Sequence, residues 1–450
     1  MEDKKRILYE TAPVRQSVTT LIIPAIISQI ISIIYNTADT FFVGKLNDPV
    51  QVAAVSLVAP IMLVLTALAN LFGIGGAGMV SRFLGGGEEE KARRASAFGL
   101  YTALFVGIVL SLLGLVCAEP LLRLFGSRED ALRYTKDYFF WVFVLGAVPM
   151  LMSLVLAHFV RADGAAKLSG WVLSSGGILN LVLDPLFIFT LRLGVVGAAI
   201  ATFLSNLFTL IVFIAYLVRN REHTIVCASL RAYGWQKETS LQVLVTGLPS
   251  MLQTLLASVS NAVLNNLAGV YGDTVIAAFG ITKKLDQIPM SITIGISQGI
   301  VPLLGYNYSA GNKERANSAL RLALCYAVGF SLVCVACYEL FSGTFVQVFI
   351  RDAQTVDYGK YFLRVMCAST PLMAVGFIMI TVFQTSGHHR AGTLLSVLRK
   401  GAIDIPVMFV ANAIFPLYGL PFAQPIAEGA TMIVSALLFR KLLMQKKTEL

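Results

Sequence analysis

Long apolar stretches alternate with short polar segments along the whole chain. About 20 helical residues cross the ~30 Å hydrocarbon core of a bilayer, and the sequence holds twelve mostly apolar stretches of roughly this length or longer. The pattern therefore predicts an all-α integral membrane protein with twelve transmembrane helices. The predicted spans are 17–43, 52–75, 94–117, 136–158, 166–189, 195–218, 243–270, 275–303, 318–341, 358–384, 391–415 and 419–440.

The pattern of the first half recurs in the second half at a shift of about 225 residues. The matched positions are Pro24 and Pro249, Asn36 and Asn261, Gly44 and Gly269, Gly87 and Gly311, Ala92 and Ala316, and the segments 161–164 and 384–387. Because each half holds an even number of spans, both copies should enter the membrane in the same sense, as parallel repeats. The sequence thus predicts two pseudo-symmetric six-helix lobes, an organisation typical of transporters.

Polar segments divide the chain and predict its orientation. We expect an N-lobe over 17–218, a C-lobe over 243–440, and an inter-lobe linker over 219–242. The segments 1–16 and 441–450 flank the two lobes. When both termini and the linker are placed on one side, most of the 35 Lys and Arg residues collect there. By the positive-inside rule that side is the cytoplasm, which predicts a multi-pass protein of the inner (plasma) membrane with cytoplasmic termini and linker.

Composition narrows the set of partners. Hydrophobic residues make up 56% of the chain and charged residues only 13%, against roughly a quarter charged in soluble domains. The net charge of +10 does not predict a nucleic-acid partner, because the cations stand in short loops beside apolar spans. Topology and anionic lipid headgroups account for cations in such places. We expect a monomer that is embedded in the lipid bilayer and does not bind nucleic acid.

Ionisable residues within the spans are the first candidates for function. An Asp at the centre of a membrane helix costs ~2.5–3.5 kcal/mol, so such residues are rarely retained without a role. Asp39 lies near the outer end of the first span, and Asn36 precedes it by three residues on the same helical face. In the fifth span Asn180 and Asp184 are four residues apart, again on one face. Pro185 removes a backbone donor and should loosen the helix there.

These residues predict an oxygen-rich pocket. Asp39, Asn180, Asp184 and Thr202 of the sixth span supply two carboxylates, an amide and a hydroxyl. Two carboxylates close together in a low-dielectric site cannot both stay ionised cheaply. The pocket therefore suits either Na⁺ or a shared proton as a coupling ion, and no other cofactor is expected. The alternative is that each Asp only braces a neighbouring helix.

The second half is not an equal copy of this pocket. Asp404 matches Asp184, but the region that corresponds to Asp39 offers Asn261, Asn265 and Asn266 and no acid. Ion coupling is therefore expected in the first half.

A separate set of polar residues is expected to line the substrate cavity between the lobes. The candidates are Tyr35, Gln253, Asn261, Asp286 and Gln298. Lys283 stands three residues before Asp286 on one helical face. Both a structural ion pair and a cavity-lining charge remain open for these two residues.

Five motifs, in this order and spacing, carry a resemblance to a known family. They are Tyr35–Gly44, Val80–Gly87, Arg161–Gly164, Asn180–Pro185 and Gly197–Thr202, preceded by Pro24. Over about residues 15–440 the chain resembles the multidrug and toxic compound extrusion (MATE) family of exporters, in its bacterial MepA-like and NorM-like branch.

The resemblance implies two six-helix lobes that export organic, often cationic, drugs and toxic compounds against an inward Na⁺ or H⁺ gradient, a route to antibiotic resistance. The family's coupling residues carry over onto Asp39, Asn180, Asp184 and Thr202. Some members also carry acids in the seventh and tenth helices for a cation site in the C-lobe. Those spans hold no such acids here, which argues against a C-lobe site of that kind.

Besides a cation-coupled antiporter that works by alternating access, two other classes of function are compatible with a polytopic membrane protein. A flippase for lipids or lipid-linked oligosaccharides would need several basic residues in a wide cavity, whereas the in-span cations are essentially Lys283 and Lys284. A membrane-embedded enzyme would need paired acids for a metal or an activated His or Ser, and no such run is present. The chain is thus expected not to be an enzyme, and the flippase remains the alternative.

Overall fold

The computed structural model describes residues 7–448 except 47, 126, 128, 228, 230, 231 and 235. The predicted segments 1–16, 219–242 and 441–450 therefore lie partly outside the described residues. All regular secondary structure in the described part of the chain is helical.

The α-helices follow one another with short connections. They are α1 Val14–Gly44, α2 Pro49–Gly85, α3 Glu89–Leu124, α4 Glu129–Phe139, α5 Ala147–Ala162, α6 Ala166–Pro185, α7 Val195–Arg219, α8 Lys237–Gly269, α9 Asp273–Ser309, α10 Lys313–Gln347, α11 Ala353–Cys367, α12 Thr370–Thr385, α13 His389–Val397, α14 Asp404–Ile414 and α15 Ala423–Thr448. Four π-helical segments lie at Ile7–Thr11, Phe140–Leu145, Leu186–Thr190 and Leu398–Ala402.

The described helices can be assigned to the predicted spans. Nine are long and apolar enough to cross a bilayer, and two bent pairs raise this number to eleven. The first pair bends by 44° between Leu145 and Ala147, and the second by 45° between Cys367 and Thr370. The remaining predicted span, 391–415, coincides with α13, the π-helical segment after it, and α14.

The two halves use the same backbone turns at matched positions. Gly87 and Gly311 have φ angles of 73° and 77°, and Gly164 and Gly387 have φ angles of 86° and 87°. Glycine adopts this left-handed conformation without the steric cost that a side chain brings. The matched glycines of the sequence repeat therefore mark structurally equivalent helix ends, and the two bent pairs also stand at equivalent places.

Large apolar side chains cover much of the outer surface. Val116 and Val348 are 80% and 76% exposed. In water so much exposed apolar surface would drive association, whereas the hydrocarbon of a bilayer is its natural solvent.

Glycines let the two halves approach each other closely. A Cβ on Gly75 of α2 would collide with the backbone of α8, and a Cβ on Gly299 of α9 would lie 2.8 Å from the Ile22 Cα of α1. Beside the second contact, the Gln29 Nε2 of α1 donates a hydrogen bond to the Gln298 Oε1 of α9 at 3.4 Å. The first helix of the N-lobe is therefore also packed against the C-lobe.

The π-helical segment Ile7–Thr11 connects the two halves at the end where α1 begins. The Tyr9 hydroxyl donates a hydrogen bond to the Ala162 carbonyl of the N-lobe at 3.2 Å. The Tyr9 carbonyl accepts hydrogen bonds from Arg315 Nε at 2.7 Å and Asn307 Nδ2 at 3.2 Å in the C-lobe. These bonds hold the lobes together at this end of the bundle.

Candidate functional site

Small residues on α6 bring α1 to the acidic pocket. Gly170, Gly177 and Asp184 follow at seven-residue intervals, which places them on one face of α6. A Cβ on Gly170 would lie 2.6 Å from the Cβ of Pro24, and one on Gly177 would lie 2.8 Å from the Cγ2 of Ile31. Such distances require glycine, so the two glycines allow the close approach that carries the outer end of α1 towards Asp184.

A neighbouring face of α6 packs against α7 and forms the polar centre of the site. The Asn180 Nδ2 donates hydrogen bonds to the Asp184 Oδ1 and to the Thr202 Oγ1, both at 3.4 Å. With the amide turned by half a rotation, its nitrogen lies 3.3 Å from the Asp184 Oδ2 and its oxygen 3.2 Å from the Thr202 backbone nitrogen. In either orientation Asn180 joins Asp184 to Thr202.

The helix changes register directly after this cluster. The Pro185 ring ends α6, and the π-helical segment Leu186–Thr190 follows at once. Proline lacks the N–H that would continue the α-helical bonding, and π-helical turns of this kind are frequent at functional sites.

The two acids occupy different environments. Asp184 is fully buried, with its carboxylate in the hydrogen-bonded cluster. Asp39 is half-buried, and its Oδ1 is shielded from solvent without a hydrogen-bond partner among the described residues. The two carboxylates are close enough for their charges to repel each other. A buried acceptor without a donor costs free energy. Binding of a proton or a cation to Asp39 would remove this cost.

Tyr138 is a residue of this site that the sequence patterns did not indicate. It lies on α4, is buried, and its hydroxyl is within electrostatic range of Asp39, Asp184 and Tyr35. A single tyrosine near the end of an amphipathic helix carries no signal in the sequence. Only the packing of α4 against the first helices brings it within electrostatic range of the acids.

Asn36 has a different local partner. Its side chain is exposed, and its Nδ2 donates a hydrogen bond to the Ser32 carbonyl one turn earlier on α1 at 2.7 Å. Asn36 therefore lies outside the hydrogen-bonded group of Asn180, Asp184 and Thr202, although Asp39 is on the same helix.

The candidate cavity residues occupy several places. Tyr35 lies beside the acid pair, Gln298 lies at the contact between the lobes, and Gln253 is half-buried on α8. Asn261 is exposed on α8, next to an open cavity of about 670 Å³. That cavity is lined by Ala262, Asn265, Asn266, Gly269 and Val270.

Asp286 belongs to a buried polar network in the C-lobe. The Gln424 Nε2 donates a hydrogen bond to the Asp286 Oδ2, and the Lys283 Nζ donates one to the Gln424 Oε1, both at 3.1 Å. The Gln424 side chain thus bridges the two residues that the sequence analysis considered as a direct pair.

The same lobe contains charged side chains that the sequence patterns did not single out. The Arg399 Nε donates hydrogen bonds to both Glu428 carboxylate oxygens at 2.8 Å, and both side chains are 1% exposed. The Lys400 Nζ lies 3.7 Å from the Asp404 Oδ2 and 4.0 Å from the Glu428 Oε1. The expectation that Lys283 and Lys284 are the in-span cations is therefore wrong, because Arg399 and Lys400 stand on the helical segments of the eleventh predicted span.

The N-lobe cluster is chemically suited to a small hard cation or a proton. Two carboxylates, an amide and a hydroxyl are oxygen donors of the kind that hard cations prefer, and the unpartnered Asp39 oxygen offers a free position. A proton shared between the acids would remove the same repulsion. The arrangement can therefore take up one positive charge and release it again.

Comparison with known proteins identifies relatives over the whole chain. The family model MatE matches residues 24–186 and, a second time, residues 249–410. The Multidrug export protein MepA of Staphylococcus aureus (strain NCTC 8325) is 32% identical over 440 residues, which cover 97% of this chain and 96% of that protein. MepA of Staphylococcus saprophyticus is 32% identical over 450 residues, 99% of both proteins.

Solved structures match the fold equally well. A crystal structure of MATE in the straight conformation superposes with a TM-score of 0.92 at 26% identity, and covers 99% of both chains. An outward-facing multidrug resistance MATE family transporter of the MOP superfamily gives 0.91 at 26% identity and 98% coverage of both. These matches confirm the predicted fold class, an all-α membrane protein of twelve transmembrane helices in two lobes.

Proposed function

This chain belongs to the MatE family of membrane transporters, and we propose that it is a secondary antiporter that exports organic, often cationic, drugs or toxic compounds in exchange for Na⁺ or H⁺. The proposal extends to this chain the multidrug export named for its MepA relatives. We infer the ion coupling from the acid pair Asp39 and Asp184.

The geometry of the acid pair supports a site that changes its charge during transport. Asp184 is held by Asn180, so its carboxylate keeps its place, whereas the Asp39 Oδ1 has no fixed donor in the described part of the chain. A cation or proton that enters between the acids relieves their repulsion. Its binding therefore favours the arrangement in which the outer part of α1 stands closest to α6.

The packing of α1 supports a route from the ion to the drug cavity. Asp39 and Gln29 are on the same helix, ten residues or about 15 Å apart, and Gln29 contacts Gln298 of the opposite lobe. A shift of α1 towards Asp184 changes this contact and the cavity wall that Tyr35 lines. We propose that ion uptake from outside thereby weakens drug binding in the outward-open state, as alternating access requires.

The free energy available from one cation is sufficient. One charge that falls through 100 mV releases ~2.3 kcal/mol, and a tenfold chemical gradient adds about 1.4 kcal/mol. At one cation per drug molecule, these values together sustain a gradient of up to several hundredfold for a neutral drug. For a monovalent cationic drug they sustain about tenfold, because its own export against the membrane potential cancels the electrical part.

The C-lobe network argues against the flippase alternative. Arg399 is buried and Lys400 is largely buried, but both contact acids on α14 or α15. A pyrophosphate would have to compete with those carboxylates for the positive charges.

We propose further that the chain acts as a monomer in the plasma membrane with both termini in the cytoplasm. The basic residues of the predicted loops support this orientation through the positive-inside rule. The extensive exposed apolar surface is consistent with lipid as its main contact.

The decisive experiment is efflux of ethidium from proteoliposomes, with a Na⁺ gradient and a pH gradient imposed separately. We expect one gradient to drive efflux, and Asp184→Asn to reduce the driven rate at least about tenfold, the factor that 1.4 kcal/mol represents. Glu314→Gln, which removes an exposed carboxylate at the start of α10, is the matched control and should transport normally. Efflux that ignores both gradients would reject the proposal.

A further inference from the structure

We propose that the ammonium group of Lys400 is a tethered cation that fills the C-lobe copy of the coupling site, so that each transport cycle takes up its coupling ion in the N-lobe alone. This inference rests on the proposed antiport function and adds to it the ion stoichiometry of the chain.

The sequence repeat places Lys400 at the position of Asn180. Asp184 and Asp404 are 220 residues apart, and the same shift relates Asn180 to Lys400. On the next span, the segment that ends in Ile200-Ala201-Thr202 matches Ile426-Ala427-Glu428 at a shift of 226. Asn180, Asp184 and Thr202 therefore correspond to Lys400, Asp404 and Glu428.

The contacts of the two triads are equivalent as well. Asn180 lies between Asp184 and Thr202 at 3.4 Å from each. Lys400 lies between Asp404 at 3.7 Å and Glu428 at 4.0 Å. A neutral amide thus joins the two side chains in the N-lobe, and an ammonium group joins them in the C-lobe.

The surroundings of the C-lobe triad are charge-balanced. Arg399 is bound through its Nε to both oxygens of Glu428, and Ser260 donates a hydrogen bond to the Asp404 Oδ2 at 2.6 Å. Lys283 is within electrostatic range of Asp404, Glu428 and its own neighbour Asp286. Three cations therefore face three acids within this group. An additional metal ion or proton would bring a net positive charge into a buried site, which is unfavourable.

The position of Asp39 also differs between the lobes. At the shift of 225 that relates Asn36 to Asn261, Asp39 corresponds to Leu264, which is 3% exposed and packed in the apolar core. The C-lobe copy consequently lacks the acid that the first helix of the N-lobe offers to an entering ion.

Removing the tethered charge should convert the C-lobe triad into an ion site. In Lys400→Met, Glu428 keeps Arg399 as its partner, but Asp404 retains only the Ser260 hydroxyl. The buried Asp404 carboxylate must then recruit a cation or become protonated. The Asp404 Oδ1, which has no hydrogen-bond partner among the described residues, is free to ligate it.

The test counts the ions bound by purified protein in nanodiscs, without drug and without a gradient. Radioactive Na⁺ reports metal binding, and the infrared carbonyl band of a protonated carboxylic acid reports proton binding. The proteins are the wild type, Lys400→Met, Lys400→Arg, and the double variant Lys400→Met/Asp404→Asn. The double variant removes one charge of each sign, so it leaves no buried charge unmatched and carries the test even when Lys400→Met is unstable.

We expect Lys400→Met to gain one ion per chain over the wild type, as bound Na⁺ or as a new protonated carboxyl group. Lys400→Arg and the double variant should retain the wild-type count. A lower count in the double variant would show that the C-lobe binds an ion in the wild type, and no gain in a folded Lys400→Met would show that Lys400 is not a substitute for one. Either result overturns the inference.

These outcomes are separable from failure of the proposed function. If no ion gradient drives ethidium efflux while Lys400→Met still gains one ion, the antiport proposal fails and the structural role of Lys400 stands.

Discussion

The N-lobe and the C-lobe contain the same helical framework around two different polar centres. In the N-lobe, Asp184 is bound by the neutral Asn180, and the second acid, Asp39, has an oxygen without a partner. In the C-lobe, Asp404 lies beside the cationic Lys400. The first centre can change its charge at low cost, whereas the second is already neutralised by the chain itself.

This difference indicates how the two copies in a duplicated membrane fold can take different roles, one structural and one in ion binding. A buried ion pair loses much of its Coulomb energy to desolvation, but removal of one partner is strongly destabilising because the other charge remains buried. The C-lobe network therefore resists change and fixes its helices. The N-lobe pair has no basic side chain bound to it in the described part of the chain, and we propose that it is the part of the molecule that an external ion switches.

The largest effect is expected from breaking the C-lobe network. Glu428→Gln leaves Arg399 buried without an anion and should lower the free energy of unfolding by about 3–5 kcal/mol. Thermal unfolding of the purified protein measures this loss. Thr202→Val at the matched N-lobe position removes only one weak hydrogen bond and should cost about 1 kcal/mol. Equal stability of Glu428→Gln and the wild type would contradict a structural role for the network.

The next largest effect, a loss of transport, is expected when Asn180 is replaced by lysine, the residue at the matched position of the C-lobe. Asn180→Lys places an ammonium group beside Asp184, where it should take the place of the coupling ion. We expect ion-driven ethidium efflux to fall at least about tenfold, equivalent to 1.4 kcal/mol, in a protein that still folds. Asn180→Met adds a side chain of similar length without the charge, and should retain more activity. If Asn180→Lys remains driven by the ion gradient, the comparison of the two lobes is wrong.

Much of the N-lobe cluster could be predicted from helical spacing alone. Asn180 and Asp184 are one turn apart, and Thr202 follows on the next apolar segment, so few other partners were available to them. Tyr138 could not be predicted, because its place depends on how α4 packs. Lys400 and Glu428 could have been found, since the shift that pairs Asp184 with Asp404 also pairs Asn180 with Lys400.

The break in the eleventh predicted span shows a second limit of sequence patterns. Hydrophobicity indicates that a segment crosses the membrane, but not that α13 and α14 are separated by the π-helical segment Leu398–Ala402. That segment carries Arg399 and Lys400, and their pairing with acids on neighbouring helices makes its polar groups acceptable in a membrane. The break in this span therefore depends on tertiary contacts, which the hydrophobic pattern does not reveal.

A smaller effect should follow from separating α1 and α6. Gly177→Ala introduces a methyl group 2.8 Å from the Cγ2 of Ile31 and 3.1 Å from the Cδ1 of Tyr35. The helices must move apart by a few tenths of an ångström, at a cost of about 1–3 kcal/mol, which should weaken ion binding severalfold in a binding assay. Gly329→Ala, at a glycine with open space around it, is the control. Unchanged ion affinity in Gly177→Ala would mean that the α1–α6 distance does not set the site.

If Asp184 couples the ion to the drug, binding of one should weaken binding of the other, and a single binding measurement can detect this. The affinity of the purified protein for ethidium is measured as Na⁺ rises at constant pH, and again as pH falls at constant Na⁺. Because linkage is reciprocal, we predict that one of these cations weakens ethidium binding in the wild type and that Asp184→Asn abolishes the effect. Ethidium affinity that is indifferent to both cations, or that responds equally in Asp184→Asn, would contradict the account.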